Sequence, residues 1–349
     1  MVAAPAAHTV TLTEYLGTDW TNELIHESME FPAGQLMQPT ALVNRSDGKG
    51  MPSQVNDVER HDDGSIKSMK VWFFANLPAN GTTSFTIHPG AKPASDSGVV
   101  VEQKDNSIML TTKAPLAVTT ERSGVVGKPM GIRLLGGMKT FDWPVPLDDS
   151  LSPIQALLMP SGKQTGKGSF HVPFRVKSYE TKILSSGPLF ADVEIRYLFD
   201  VGYWTFKSRV LDGCPMIQIE EEFNTGPSGL KAKGFDRYYS FALNSGGFKP
   251  TQGWFTGNNP SPKLQDLAKL LVPKAWEQTG ALPSGVSHRA TPVSGYTLKF
   301  DADRDDYFLT GWPSVIPQVG NFIRFIEPGG ESIGFATLHI MGWRDPMAI

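Results

Sequence analysis

One cysteine in 349 residues, Cys214, leaves no partner for an intramolecular disulfide and no basis for a multi-cysteine zinc site. It stands between Gly213 and Pro215 beside a strand, where a buried thiol is favoured over a nucleophile. Long apolar runs are missing too. None approaches the roughly 20 residues that a helix needs to cross a bilayer. The opening "MVAAPAAHTV" has neither a basic region nor an apolar core of the kind a secretion signal uses. Two localisations therefore stay open, a cytoplasmic chain or a secreted one whose leader is missing. Charge of either sign is scarce: 32 Lys and Arg against 35 Asp and Glu give a net charge of -3. That balance offers no electrostatic case for nucleic acid or an anionic membrane as partner. Paired metal spacings are absent among the seven histidines, and no GxSxG motif occurs. His288, beside Arg289, and His339 are the histidines in the most polar contexts, and both read as structural or exposed. No repeat at propeller or solenoid period is present.

What the chain does have is strand signal. Thirty-five glycines and 27 prolines suit many short strands joined by turns. The stretch "HDDGSIKSMKVWFFANLPANGTTSFTI", His61 to Ile87, reads as a hairpin bounded by turns at Asp63-Gly64 and Asn80-Gly81. Met69, Val71, Phe73 and Ala75 alternate with Lys70, Trp72 and Phe74, so this strand is covered on both sides. A strand around Thr9 to Leu12, a loop carrying Pro32 and Gly34, and a short strand at Ala41 to Asn44 complete a small β unit. "HPGAKPASDSG", His88 to Gly98, is read as a linker. Two domains follow, over residues 1–90 and 99–349.

Three alternating strands come later. Ala191, Val193, Ile195, Tyr197 and Phe199 form one apolar face, Trp204, Phe206 and Val210 the next, and Ile217, Ile219 and Phe223 the third. With turns at Asp200–Gly202 and Asp212-Gly213 they make an antiparallel meander with one wet face. One helix is expected, with Ser261 as N-cap, Pro262 in the first turn, Leu264, Leu267, Ala268 and Leu271 as its stripe, and Pro273 as its end. A single short helix among many strands points to an all-β chain, an antiparallel β-sandwich. The final run "ESIGFATLHIMGWRDPMAI" looks like a chain cut short.

Two loops imitate ligand motifs. "GKQTGKGS", Gly162 to Ser169, falls one residue short of phosphate-loop spacing and has Gly168 where magnesium needs a hydroxyl, so it is read as a hairpin loop. "DADRDD", Asp301 to Asp306, lacks the glycine and distal glutamate of a calcium loop, so a solvated turn is favoured over a surface calcium site. No metal or other cofactor is expected.

The densest local chemistry is "LKAKGFDRYYSF", with Lys231, Lys233, Asp236, Arg237, Tyr238 and Tyr239, followed by Trp254, Trp312 and Trp343. Aromatic faces stack on sugar C–H groups, and neighbouring Arg, Lys and Asp read hydroxyls or carboxylates. Lys231, Lys233, Asp236, Arg237, Tyr238, Tyr239 and Trp254 are thus the candidate saccharide-binding set. The alternative, a wet sheet face over a Tyr238 and Phe241 core, stays open beside it.

The order "FPAGQL", "MPSQVNDVERHDDGSIKSMKVWF" and "LPANGTTSFTI", with "SSGPLFADVEIRY" and "DGCPMIQIEEEF" later, resembles the exo-type rhamnogalacturonan lyase family. The resemblance covers nearly the whole chain and implies a small N-terminal RIFT-type β-barrel followed by a central β-sandwich. The family's α/α toroid should come next, and no helical array is present, so this chain would hold part of the cleft. The implied activity is β-elimination on uronate-containing chains, with an acidic polysaccharide as partner. No catalytic residue carries over; Arg237 could neutralise the carboxylate, and Tyr238, Tyr239 or Lys231 could be the base. The competing functions are a non-catalytic carbohydrate-binding or scaffold module, and part of a glycoside hydrolase using two carboxylates such as Asp236 and Glu221.

Overall fold

A computed structural model describes residues 5–94, 98–112, 130–170, 175–200, 202–214, 216–224, 239–242, 252–257, 277–286, 292–299, 308–309, 319–326 and 331–336. The chain is all-β, and among the described residues every strand pair is antiparallel. In order, the strands are β1 (His8–Thr13), β2 (Trp20–Glu30), β3 (Ala41–Arg45), β4 (Gly50–Met51), β5 (Ser53–Arg60), β6 (Ile66–Leu77) and β7 (Thr82–Pro89). There follow β8 (Val99–Lys104), β9 (Ser107–Thr112), β10 (Gly131–Leu135), β11 (Met138–Pro146), β12 (Ile154–Leu158), β13 (Gln164–Thr165) and β14 (Lys167–Phe170). Then come β15 (Arg175–Ser186), β16 (Phe190–Phe199), β17 (Tyr203–Leu211), β18 (Ile217–Asn224), β19 (Tyr239–Ala242) and β20 (Gln252–Gly257). The last are β21 (Glu277–Val286), β22 (Pro292–Lys299), β23 (Phe308–Leu309), β24 (Val319–Ile326) and β25 (Ser332–Ala336). The only helical turn among the described residues is a 3₁₀ turn at Asp149–Leu151. The helix expected from Ser261 to Pro273 lies outside the described residues.

The first unit packs the sheet β1-β7-β3-β4 against the sheet β2-β6-β5. Met69, Val71 and Phe73 of β6 face Phe85 and Ile87 of β7 and Ala41 and Val43 of β3 in one core. The pairing is that of two separate sheets across a core; no closed barrel ladder is seen among the described residues. This corrects the reading of His61 to Ile87 as a single hairpin. The Asp63-Gly64 turn does close a hairpin, β5 onto β6, with Gly64 at φ 81°. At Asn80-Gly81 the chain instead crosses from one sheet to the other, because β6 pairs with β2 and β7 with β1 and β3. Period two marks which face is buried, and it is silent about which strand lies alongside. The second face of β6 is covered as expected: Trp72 and Phe74 pack on Leu189, Phe190 and Leu211 of the next unit.

β2 is a strand the residue pattern does not announce. "WTNELIHESME" has only Leu24, Ile25 and Met29 as aliphatic or thioether anchors, and much of its length is exposed, as fits an outer strand.

The second unit packs β13-β12-β10-β9-β8 against β11-β15-β16-β17-β18. Its inner face carries the expected Ala191, Val193, Ile195, Tyr197 and Phe199, all buried, with Trp204, Phe206 and Val210 from the next strand. Tyr179, Tyr197 and Trp204 sit side by side across three strands, with Tyr197 and Trp204 stacked at 5.1 Å between ring centroids. The Tyr197 hydroxyl donates to the Leu151 carbonyl at 2.7 Å, so the phenol is buried without an orphaned polar atom. The first half of "GKQTGKGS" closes a β-hairpin, with Met159 to Lys163 as the turn, Gly162 at φ 86° and β13 returning along β12, while Lys167–Ser169 belong to β14, which pairs with β19 in another sheet.

Gln54 joins the two units. Its Nε2 donates to Ser185 Oγ at 2.6 Å and to the Phe190 carbonyl at 3.1 Å, and its Oε1 accepts from the backbone N–H of Leu189 and Phe190, both at 3.1 Å. A Cβ on Gly187 would fall 2.5 Å from the Gln54 amide carbon, so this approach needs glycine. Replacing Gln54 by Ala strands two backbone donors in a buried place and leaves the Phe190 carbonyl only its 3.2 Å bond from the Gly187 N–H. Gln54→Ala is expected to lower unfolding stability by roughly 2–4 kcal/mol in urea titration; a loss below about 0.5 kcal/mol would mean that water replaces the amide.

Candidate functional site

Five members of the sequence-derived saccharide set, Lys231, Lys233, Asp236, Arg237 and Tyr238, lie outside the described residues, as do Asp301–Asp306, His288, Arg289 and His339. The other two are placed by their backbone. Tyr239 opens β19 opposite Phe170, and Trp254 lies in β20 between Thr297 of β22 and Arg324 of β24. These are different sheets.

The described residues bring other chemistry together. On β18 the alternation sends Gln218, Glu220 and Glu222 to the outer face, so Glu221 shares the inner face with Ile217 and Ile219, opposite Phe206. Desolvation pushes the Glu221 carboxyl up to about 7, while the Trp204 indole N–H beside it pulls the other way. Glu221 as a residue is nonetheless exposed, so its carboxyl is not shut off from solvent. Ser208 sits on the same inner face, 1% exposed, with no hydrogen-bond partner for its hydroxyl among the described residues. A carboxyl that holds its proton near neutrality is suited to protonate a leaving group. Three consecutive glutamates in a period-two strand are the signal for it: one of them must face inward.

On the outer face, at the joint between units, Arg209 makes a bidentate pair with Asp192, 2.7 Å at both contacts. Its guanidinium lies 4.4 Å from the Phe190 ring centroid and 5.4 Å from that of Trp72. The Asp192 hydrogen bonds hold Arg209 above its ordinary pKa against the cost of burial. The exposed His26 ring lies 4.5 Å from Trp72 on the far strand. Arg209 is thus committed to Asp192, which makes it a pin between units.

Cys214 is half-buried and packs on the Leu189, Phe190 and Leu211 cluster, as do Leu24, Trp72 and Phe74 of the first unit. Burial pushes its thiol above the ordinary range, opposed by a hydrogen bond from the Met216 backbone, which suits the buried-thiol reading. A shallow cleft of about 460 Å³ in the first unit is lined by Glu30, Phe31, Glu59, His61 and Lys67. Its groups are engaged: Lys67 pairs with Glu59 at 3.4 Å and His61 Nε2 contacts the Phe31 carbonyl at 2.9 Å. Among the described residues no three His, Cys, Asp or Glu side chains are grouped to hold a metal.

At the opposite end of the first unit, Glu14 is held by backbone. Its carboxylate accepts the N–H groups of Leu16, Gly17, Thr18 and Asn80 at 2.7, 2.9, 3.3 and 2.8 Å, with the Trp20 indole at 3.4 Å. Burial works against the charge, and these donors outweigh it, leaving the pKa at about 2. The site is already filled by its own carboxylate and has a structural task, fixing the sheet-crossing turn at Asn80.

No protein-family model matches the chain, and no curated protein sequence matches it.

Both carboxyls give pH predictions of opposite sign. Glu14 is depressed when folded, so its stabilisation is present above about pH 4.5 and lost as pH falls toward about 2. The stability gap between wild type and Glu14→Gln, read by thermal melts, is therefore expected to narrow from pH 7 to pH 3; a constant gap would refute the nest. Glu221 is raised when folded, so ionising it costs stability as pH rises from about 4.5 through about 7. Glu221→Gln is expected to gain melting temperature relative to wild type over that window, and parallel curves would show a carboxyl with normal access to water.

Proposed function

We propose that this chain is the β-rich part of an enzyme that cleaves uronate-containing, rhamnogalacturonan-like polysaccharide by β-elimination. The observation that supports the reading is the succession of two β cores in the order the resemblance implies. One is built from Phe31 to Ile87 and the next from Val99 onward, with the Gln54 hydrogen bonds holding them together. In elimination a cation neutralises the uronate carboxylate and acidifies the C5 proton. A base removes that proton, the 4-linked sugar leaves, and a C4=C5 double bond remains. Arg237 is the proposed neutraliser, and Tyr238, Tyr239 or Lys231 the base. Arg209 is set aside for the first role because Asp192 already balances its charge.

A second reading has one observation in its favour. Glu221, set opposite Phe206 by the strand register and with its carboxyl pushed up by desolvation, would serve as the general acid of a glycoside hydrolase, with Asp236 as its partner carboxylate. The products separate the two. Elimination yields an unsaturated uronate absorbing in the near ultraviolet, whereas hydrolysis yields reducing ends without that absorbance.

With the full-length protein and rhamnogalacturonan, the absorbance is expected to rise. Reducing ends without absorbance would replace elimination by hydrolysis. Titration with uronate oligosaccharides is expected to show binding that Arg237→Ala and Tyr239→Ala each weaken by roughly 1–3 kcal/mol. Unchanged affinity in both variants would return that segment to a wet sheet face.

A further inference from the structure

The edge strand β11 leaves its ladder for four residues. Thr140 faces Ser178 and Val145 faces Val176, so Phe141, Asp142, Trp143 and Pro144 stand opposite Lys177 alone. The excursion is tied at both ends. Phe141 packs against the sandwich core, with the Lys139 ammonium 4.9 Å from its ring centroid. The Arg175 guanidinium donates to the Pro144 carbonyl. Between these ties Trp143 is 81% exposed.

An irregular edge guards a sheet against pairing with a second one, and the bulge with its proline supplies that protection already. An indole held out in water adds nothing to it and gives up the burial that a core position would provide. The surrounding charge is also one-sided. Lys139 and Arg175 are exposed and have no carboxylate partner among the described residues, while Lys177 lies 3.9 Å from Asp200. Asp142 is the one acidic side chain in the excursion itself.

We propose that Trp143 is a stacking platform for a sugar ring of an anionic polysaccharide, with Lys139 and Arg175 at the two ends of the excursion as cations that attract the polymer's uronate carboxylates. The electron-rich face of the indole attracts the polarised C–H groups on one face of a pyranose. A ring fixed by two torsions loses little entropy on binding. The backbone ties at Phe141 and Pro144 hold the platform in place before the ligand arrives, which removes part of the ordering cost. The choice of an acidic sugar rests on the polysaccharide reading above together with these two cations, which have no carboxylate partner among the described residues. The platform itself requires no elimination chemistry.

The test is calorimetric titration of the intact chain with oligogalacturonate as probe and neutral galactan oligosaccharides for comparison. Because Trp143 is exposed, Trp143→Ala is expected to keep its melting temperature and lose affinity for oligogalacturonate about tenfold. Lys139→Gln is expected to lose affinity two- to fivefold, to flatten the salt dependence, and to leave any binding of the neutral probe unchanged. Unchanged affinity in a folded Trp143→Ala variant overturns the platform while leaving the polysaccharide reading to the Arg237 and Tyr239 variants. Equal affinity for the neutral probe overturns the anionic assignment. No binding by the intact chain overturns the proposal as a whole, with elimination still decided separately by absorbance.

Discussion

The register of the sheet β15-β16-β17 decides which chemistry faces inward and which faces out. Tyr179, Tyr197 and Trp204 are direct cross-strand neighbours, and slipping any of these strands by one residue would turn its ring from core to solvent. Stacked rings in adjacent strands add about 0.5–1.5 kcal/mol beyond the area they bury. The Tyr197 hydroxyl fixes the row against the facing layer through the Leu151 carbonyl. Every other placement in the unit follows from that row. With Trp204 and Phe206 inward, Glu221 must be inward, and with Tyr197 inward, Asp192 must be outward. The outward set then meets the first unit.

That meeting is specific more than it is extensive. The apolar part is a small cluster of Leu189, Phe190 and Leu211 with Trp72 and Phe74. Around it stand the four bonds of the Gln54 amide and the half-buried Arg209–Asp192 pair over the Trp72 and Phe190 rings. Apolar contact alone would tolerate sliding between the units, whereas an amide that must reach two N–H groups and a carbonyl permits one arrangement. The ion pair serves geometry in the same way, since partly buried pairs return little net stability once desolvation is counted.

The residues told more about faces than about neighbours. The meander β16, β17 and β18 was legible because it is consecutive, so alternation, turn signals and pairing all coincide. In β6 the buried set Met69, Val71, Phe73 and Ala75 was legible for the same reason. Its partner was not: a turn at Asn80-Gly81 looks alike whether the chain returns to the same sheet or crosses to the facing one, and the carboxylate of Glu14 helps to fix that turn from 66 residues away. β2 stayed hidden because an outer strand with solvent along much of its length carries no strong period. The inward glutamate was present in "IEEEF" as a conflict between composition and alternation, while its raised pKa depends on atoms that only folding assembles. The Lys231–Tyr239 segment, where sequence reasoning placed the saccharide, lies almost wholly outside the described residues.

Glu221 and Trp143 both break the rule their strand otherwise obeys, one as an ionisable group turned inward and the other as a large aromatic turned out. Departures of this kind cost stability, and they persist where something other than folding retains them. Their places in the sheet give the two different tasks. β11 and β18 are its opposite edges, four strand spacings apart. At about 4.8 Å per spacing that is roughly 19 Å across the sheet. A sugar stacked on Trp143 is therefore too distant to be the one whose glycosidic oxygen could take a proton from Glu221. If both act on one polymer, Trp143 retains the chain at a distance from the bond that breaks, and its contribution falls on affinity with the chemical step untouched.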